Sequence, residues 1–174
     1  FAGVRVLDNT LLLPIPQADT TKHDIFVGYT LEPEISGNTV TGGGYGLGIK
    51  GNTGADVHHN TISHIWRWGI VDKAGWDCSF HDNLVETSTG CSARMCNDDS
   101  AGRIVQNSSW YGNEYRGGVL AYDVSWPVTP EANGISSEAN GFHLERHDDP
   151  LLKFEGTFSD LWAIQAQWGW DLTS

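Results

Sequence analysis

The sequence VLDNTL at 6–11 recurs as ISGNTV at 35–40, as VHHNTI at 57–62 and as FHDNLV at 80–85. In each copy an apolar residue stands three positions before the asparagine, and another stands two positions after it. A looser fifth copy, IVQNSS at 104–109, continues the series. The five asparagines, separated by 29, 22, 23 and 24 residues, are Asn9, Asn38, Asn60, Asn83 and Asn107. A repeat of this length that cannot bury its own apolar face must stack on its neighbours.

Further short apolar pieces follow the anchors, as LGI at 47–49, GIV at 69–71 and GVL at 118–120. Each repeat therefore consists of short strands separated by turns, and helical periodicity is absent from residues 1–125. Stacked in register, such repeats form a parallel β-solenoid with about 4.8 Å between equivalent strands. We predict an all-β protein with coils of about 22–24 residues, in which the five asparagines form one turn column.

The composition agrees with this prediction and excludes several other classes. Charged residues make up 18% of the chain, and the 21 glycines and eight tryptophans are unusual for a helical bundle. No apolar run of about 18 residues exists, so we predict no membrane insertion. The formal net charge of −12 opposes binding to nucleic acid.

The repeat resembles that of the right-handed parallel β-helix proteins, the pectate-lyase-like superfamily, over roughly residues 4–125. The resemblance rests on the V/I-x-x-N-x-I/V signature and on the pieces that pair Gly with Ile or Leu. In that superfamily the recurring asparagine forms a ladder of hydrogen-bonded amides, which the resemblance implies here. The same coils carry lyases, hydrolases, epimerases, transferases, phage tailspikes and adhesins, so the resemblance implies a fold more than a function.

Residues 126–174 depart from the repeat. The stretch WPVTPEANG at 126–134 reads as a loop, whereas 141–147 and 151–158 alternate as strands do. We predict a looser β segment that continues or caps the coils of residues 1–125. The chain starts at Phe1 without a signal peptide, so we expect a processed protein or a piece of a longer one. Three cysteines allow one disulfide with a free thiol, or three thiols: Cys78, Cys91 and Cys96.

Two neighbouring carboxylates, Asp98 and Asp99, lie in a connection rich in Gly and Ser. Paired carboxylates perform glycoside hydrolysis, in which one donates a proton and the other attacks carbon or activates water. A second acidic cluster, HDDP, occupies 147–150. Either pair could instead hold calcium through its oxygens, and turn aspartates without a catalytic role are the plainer alternative.

Lys50 and Asp72 both stand twelve residues after an anchor asparagine, so we predict that they share a column. A lysine beside an acidic side chain could serve as the base of a polysaccharide lyase. Arg67 or Arg94 would then neutralise a uronate. An exposed salt bridge explains the pair equally well and is the commoner arrangement.

The same alignment places His58 and His81 one coil apart on the outer surface, with Asp82 beside His59. Such a cluster could bind a metal or a substrate, or act as a general acid and base. A solvated outer face is the alternative. No ligand spacing of the zinc type is present, so we predict no metal site here.

Trp66, Arg67, Trp68 and Trp76 follow the anchor Asn60 closely. Strand alternation predicts that Trp66 and Trp68 share one face while Arg67 takes the other. We expect all three tryptophans to be partly exposed on a lateral face near the Asp72 column. Two extra indoles would overfill a narrow core, so at least one of Trp66 and Trp68 should face outward. A sugar ring, a neighbouring subunit or buried packing could account for these residues.

Together these features favour a secreted or surface-associated protein that acts on an extended polysaccharide by hydrolysis or β-elimination. No basic run is visible in the sequence, so the acidity favours a neutral glycan, or an anionic one held through calcium. The alternative is a non-catalytic structural or receptor-binding module, such as a tailspike or adhesin segment on a virion or a cell. That module is expected to form a homotrimer or a larger assembly.

Overall fold

A computed structural model describes residues 2–13, 23–87, 90–98, 102–117, 120–124, 133–143, 152–154 and 157–159. These residues form strands grouped in three sheets. Sheet I contains β1 (Arg5–Leu7), β4 (Glu34–Ser36), β7 (Asp56–His58), β10 (Ser79–His81), β13 (Ser109–Tyr111) and β16 (Ser136–Glu138). Sheet II contains β2 (Thr10–Leu12), β5 (Thr39–Thr41), β8 (Thr61–Ile65), β11 (Leu84–Thr87), β14 (Glu114–Gly117) and β17 (Gly141–His143). Sheet III contains β3 (His23–Gly28), β6 (Tyr45–Lys50), β9 (Trp68–Lys73), β12 (Cys91–Cys96), β15 (Leu120–Val124), β18 (Leu152–Phe154) and β19 (Thr157–Ser159).

The chain visits sheets I, II and III in turn, and each strand pairs in parallel with its equivalent in the next coil. The exception is β19, which returns antiparallel to β18. The described residues contain no helix. The predicted all-β parallel solenoid is confirmed, and the pieces at 47–49 and 69–71 lie in β6 and β9 as expected.

The turn from sheet I to sheet II explains the recurring asparagine. Asn60 donates through Nδ2 to Asn83 Oδ1 at 2.9 Å and to the carbonyl of Ile35 at 2.9 Å. Its Oδ1 accepts from the backbone and side-chain nitrogens of Asn38. The left-handed residue of this turn is the one before the asparagine, as at His59, where φ is 53°. We call the stacked side chains the asparagine ladder; its members are Asn9, Asn38, Asn60, Asn83, Asn113 and Asn140.

The prediction that Asn107 belongs to this column is wrong. Asn83 donates to Asn113, 30 residues further on, and Asn113 donates to Asn140 after another 27. Asn107 lies in an earlier turn, where its amide donates to Asp77. The predicted coil length of 22–24 residues therefore holds for the steps of 22 and 23 in the ladder. The other steps of the ladder are longer, at 29, 30 and 27 residues.

The core explains why Asn113 escaped the sequence pattern. Its flanking inward positions carry Trp110 and Tyr115, both fully buried, where most earlier coils carry Val, Ile or Leu. Trp110 stacks on Phe80 of the preceding coil, with ring centroids 3.9 Å apart and planes 8° apart. In sheet II, Tyr115 follows Val40, Ile62 and Val85 in one buried column, so an aromatic ring continues an aliphatic series there.

An extra residue in β8 changes the alignment of everything that follows it. Val85 pairs with Ile62, but Thr87 pairs with Ile65, so β8 contains a β-bulge. His64 lies inside this bulge with φ of 58°. Before the bulge, paired residues of the two coils are 22 positions apart, as in Thr41 and Ser63. After it they are 23 positions apart, as in Tyr45 and Trp68.

Candidate functional site

The outer face of sheet III carries a concentration of cationic and aromatic side chains. Lys50 pairs with Lys73 in the next coil, and both are partly exposed. Their inward neighbours, Ile49 and Asp72, are fully buried. Alternation along β6 and β9 therefore directs the two lysines to the outer surface of the solenoid.

This pairing corrects the prediction that Lys50 and Asp72 share a column. Asp72 pairs with Ile49 because the β8 bulge adds one residue before β9. A shift of one residue in a strand moves a side chain to the opposite face. Asp72 therefore lies inside the solenoid, where Ser108 Oγ donates to Oδ2 at 2.7 Å and the Gly75 N–H donates to Oδ1 at 2.9 Å.

Burial raises the pKa of Asp72 to about 6, although the bonds from Ser108 and Gly75 oppose the shift. Because folding raises this pKa, the contribution of Asp72 to stability is fully present below the pKa of about 4 that it has in the unfolded chain. That contribution is lost as the pH rises through about 6, the pKa in the folded protein. Two pKa units correspond to roughly 3 kcal/mol. An asparagine at 72 keeps both hydrogen bonds, because Ser108 Oγ can accept from Nδ2.

We therefore expect Asp72→Asn to raise the free energy of unfolding at pH 7.5 by up to roughly 3 kcal/mol, and to change it little at pH 4. Urea unfolding of both proteins at the two pH values measures the difference. Parallel pH profiles for the two proteins would contradict a buried, ionisable Asp72.

Asp98 lies at the centre of an ionic cluster beside these lysines. Lys50 Nζ is 3.0 Å from Asp98 Oδ2, and Lys73 Nζ is 3.7 Å from Oδ1. The Tyr29 hydroxyl donates to Oδ2 at 3.0 Å. The interactions of the Lys50 ammonium with the Tyr29 hydroxyl and with the Asp98 carboxylate raise the pKa of Lys50. This lysine therefore stays protonated. Asp98 is 1% exposed and is engaged by all three neighbours, which makes it a residue that positions the lysines.

Trp68 lies on the same outer face and is covered by cations. It packs on Tyr45 with ring centroids 4.6 Å apart. The guanidinium carbons of Arg94 and Arg67 lie 3.8 and 4.3 Å from its ring centroid. Arg67 also donates to the Tyr45 hydroxyl at 2.8 Å. The indole therefore holds two guanidinium groups in place and does not offer a bare face to a sugar.

The expectation that Arg67 points away from Trp68 is wrong. Trp66 and Arg67 form a bend between β8 and β9, so strand alternation does not apply to them. Trp66 and Trp68 are both half-buried. Trp76 is 52% exposed and lies in the turn after β9, where it pairs with Thr53 and Gln106. All three tryptophans are thus partly exposed as expected, and Trp76 is the most exposed of them.

His23 is a site residue that the sequence pattern did not reveal. Its ring stacks on Phe26, packs at a tilt of 51° against Tyr45 and lies directly over Gly48, where an added Cβ would be 2.5 Å from Nδ1. Burial and the nearby charge of Lys73 lower the pKa of His23 to about 4. The imidazole is therefore neutral at neutral pH, and its buried Nδ1 has no hydrogen-bond partner in the described structure.

The charge of this face differs from that of the whole chain. Seven lysine and arginine side chains are described, and five lie on or beside the outer face of sheet III: Lys50, Arg67, Lys73, Arg94 and Arg103. Their described acidic neighbours are Asp98 and Asp123, which lies 3.8 Å from Arg94. Burial also raises the pKa of Asp24 in β3 to about 7, which reduces its negative charge. The solenoid thus has a local basic surface that no run in the sequence indicates.

The histidines predicted as a site lie elsewhere, on sheet I. His58 and His81 stack in neighbouring coils with centroids 4.9 Å apart, as the alignment predicts. His81 places its two ring nitrogens 3.0 Å from Asp56 and 2.9 Å from Asp82. This histidine–carboxylate column extends along sheet I and shares no contact with the cations of sheet III in the described structure.

The remaining predicted residues are placed as follows. Asp99 and the cluster at 147–150 lie outside the described residues. Cys78, Cys91 and Cys96 are free thiols.

In the described ranges, no group of three or more His, Cys, Asp or Glu side chains is arranged to hold a metal ion. A search of the same residues for a helix able to span a membrane finds none.

A family model described as right handed beta helix region matches residues 18–156. This match covers most of the chain, and the protein belongs to the family of proteins with a right-handed β-helix. Comparison with curated proteins finds no significant match, and comparison with solved structures finds none. The fold family includes enzymes that act on polysaccharides, and the substrate is determined by the site and not by the coils.

Proposed function

We propose that this protein binds an extended acidic polysaccharide along the outer face of sheet III and cleaves it by β-elimination. The observation that carries the proposal is the concentration of Lys50, Lys73, Arg67 and Arg94 on one face of a protein with a net charge of −12. Such a local field attracts and orients a polymer with a carboxylate on each sugar. A long, straight surface also suits a polymer better than a small metabolite.

β-Elimination requires a proton acceptor and cations that stabilise the charge developing on the uronate. The base removes the proton from C5, the C4–O bond breaks, and the departing oxygen takes up a proton, which leaves a double bond between C4 and C5. His23 is neutral at neutral pH, so it is our candidate for the proton acceptor. Lys73 and Arg94 are candidates for pairing with the uronate carboxylate. Lys50 stays protonated and is a candidate proton donor.

Hydrolysis is less well supported by the described residues. It needs two carboxylates on either side of the scissile bond. Asp98 is engaged by two lysines and Tyr29, Asp123 lies beside Arg94, and Asp72 is buried. We also propose that a calcium ion bridges the glycan to the protein. We further propose that the protein acts outside the cell, where such polymers occur.

A panel of acidic and neutral polysaccharides tests the proposal. We expect absorbance in the enoate band to rise with a polyuronate, and the rate to fall as salt is added, because salt screens the cationic face. Reactions with calcium and with a chelator test the metal. New reducing ends without enoate absorbance would instead indicate a hydrolase. Binding without either product would indicate the non-catalytic module, and neither binding nor product would overturn the proposal.

A further inference from the structure

A groove of about 660 Å³ follows the turns that leave sheet III. Its floor includes Leu31, Thr53, Trp76 and Gln106, which pair successively from coil to coil. Because the coils are about 4.8 Å apart, the groove runs along the solenoid axis. Its volume lies in the range of small-molecule sites. The Tyr29 ring forms one wall of this turn groove.

The turn groove exposes apolar side chains that the fold does not cover. Leu31, Trp76 and Ile104 are 54%, 52% and 47% exposed, and all three line it. Clustered exposed apolar residues in a concave surface are typical of a ligand site. Trp76 offers a flat aromatic face, in contrast to Trp68, whose face is covered by Arg67 and Arg94.

The charge of the lining indicates which ligand would bind. The described lining contains no aspartate or glutamate, although the chain has 22 acidic residues. Arg103 is its charged residue. Its guanidinium lies 5.2 Å from the Tyr29 ring and donates weakly to the Gly51 carbonyl at 3.4 Å. Arg103 forms no ion pair within the described chain, so its guanidinium can pair with a carboxylate from outside.

We propose that the turn groove is a second glycan-binding site, which holds a carboxylated sugar residue. The apolar C–H face of the sugar stacks on Trp76, its carboxylate pairs with Arg103, and Thr53 and Gln106 offer polar groups to its hydroxyls. The site is distinct from the sheet III face, because Trp76 lies in the turn row and Lys73 on the strand. Tyr29 joins the two, since its ring lines the groove and its hydroxyl donates to Asp98.

The ligand class rests on the proposed function, so the experiment separates the two sites. Calorimetric titration uses a short saturated oligouronide and its carboxyl-reduced, neutral counterpart. We expect two binding equivalents on the unchanged protein, one on Lys73→Met, and none on the double variant Lys73→Met with Arg103→Gln. Trp76→Ala is expected to weaken binding in the groove at least tenfold. Arg116→Gln, which removes a surface arginine that pairs with Glu114, is the matched control.

Two results would overturn the inference without touching the proposed function. One is unchanged stoichiometry and affinity in Arg103→Gln and Trp76→Ala. The other is equally tight binding of the neutral counterpart in the groove. Loss of binding in Arg103→Gln together with unchanged binding and cleavage in Lys73→Met would support the groove and contradict our assignment for sheet III. Thermal melting of each variant confirms that it is folded.

Discussion

Replacing Lys73 by methionine is expected to lower the turnover of a polyuronate by about 10²–10³-fold, the usual effect of removing one group that stabilises charge in a transition state. Lys73 lies on the outer face, and its described ionic partner is Asp98. After the substitution Asp98 still contacts Lys50 Nζ at 3.0 Å and accepts from the Tyr29 hydroxyl at 3.0 Å. The substitution therefore removes a charge from the site without leaving Asp98 unpartnered. Steady-state rates from enoate absorbance measure the effect.

The pH profile provides a second readout of the same variant. The charge of Lys73 contributes to the low pKa of His23, so its removal should raise that pKa. If His23 accepts the proton, activity is lost as the pH falls through the pKa of His23, and this loss should begin at a higher pH in Lys73→Met. Arg116→Met carries the same change in net charge on sheet II and should leave rate and profile unchanged. Equal losses in both variants would show that only the overall charge matters.

Asn60→Ala is expected to lower the free energy of unfolding by roughly 3 kcal/mol, the upper end of the cost of leaving buried polar groups without partners. Asn60 is 1% exposed. Alanine would leave the backbone N–H of Asn38 without its side-chain acceptor and would remove the donors to the Ile35 carbonyl and to Asn83 Oδ1. Urea unfolding monitored by tryptophan fluorescence measures the change.

Asn9→Ala is the matched control for the ladder. Asn9 occupies the first described rung and is exposed, so water can replace the bonds it makes to Asn38. We expect a loss below about 1 kcal/mol. A similar loss at both positions would show that burial does not set the strength of the ladder.

The fold could be predicted from sequence because its cause is local and repeated. The anchors at Asn38, Asn60 and Asn83 each carry apolar residues at the same offsets, and stacking makes every coil repeat the same contacts. The pattern failed at Asn113, where the buried flanking residues are Trp110 and Tyr115 and not the Val, Ile or Leu of most earlier copies. The size of a core residue depends on the space between the sheets, which no single repeat specifies.

The candidate site was only partly predictable. The sequence identified Lys50, Arg67 and Trp68, and it noted Arg94, but it paired Lys50 with the wrong residue. His23 and Tyr29 stand before the repeats that are easiest to recognise, and nothing in their own neighbourhoods marks them. Their roles arise from the contacts His23 makes with Tyr45 and Gly48, and Tyr29 with Asp98.

By itself, the sequence determined that this protein is an all-β solenoid with a turn asparagine in successive coils, because apolar spacing and turn chemistry act over a few residues. Only the tertiary structure decided which side chains share the outer face of sheet III. One extra residue at the bulge around His64 moves Asp72 inward and places Lys73 beside Lys50. Strand pairing has a period of two, so a single inserted residue exchanges the buried and exposed faces of a strand. The basic surface assembled there depends on that register, and charges far apart along the chain meet only when the coils stack.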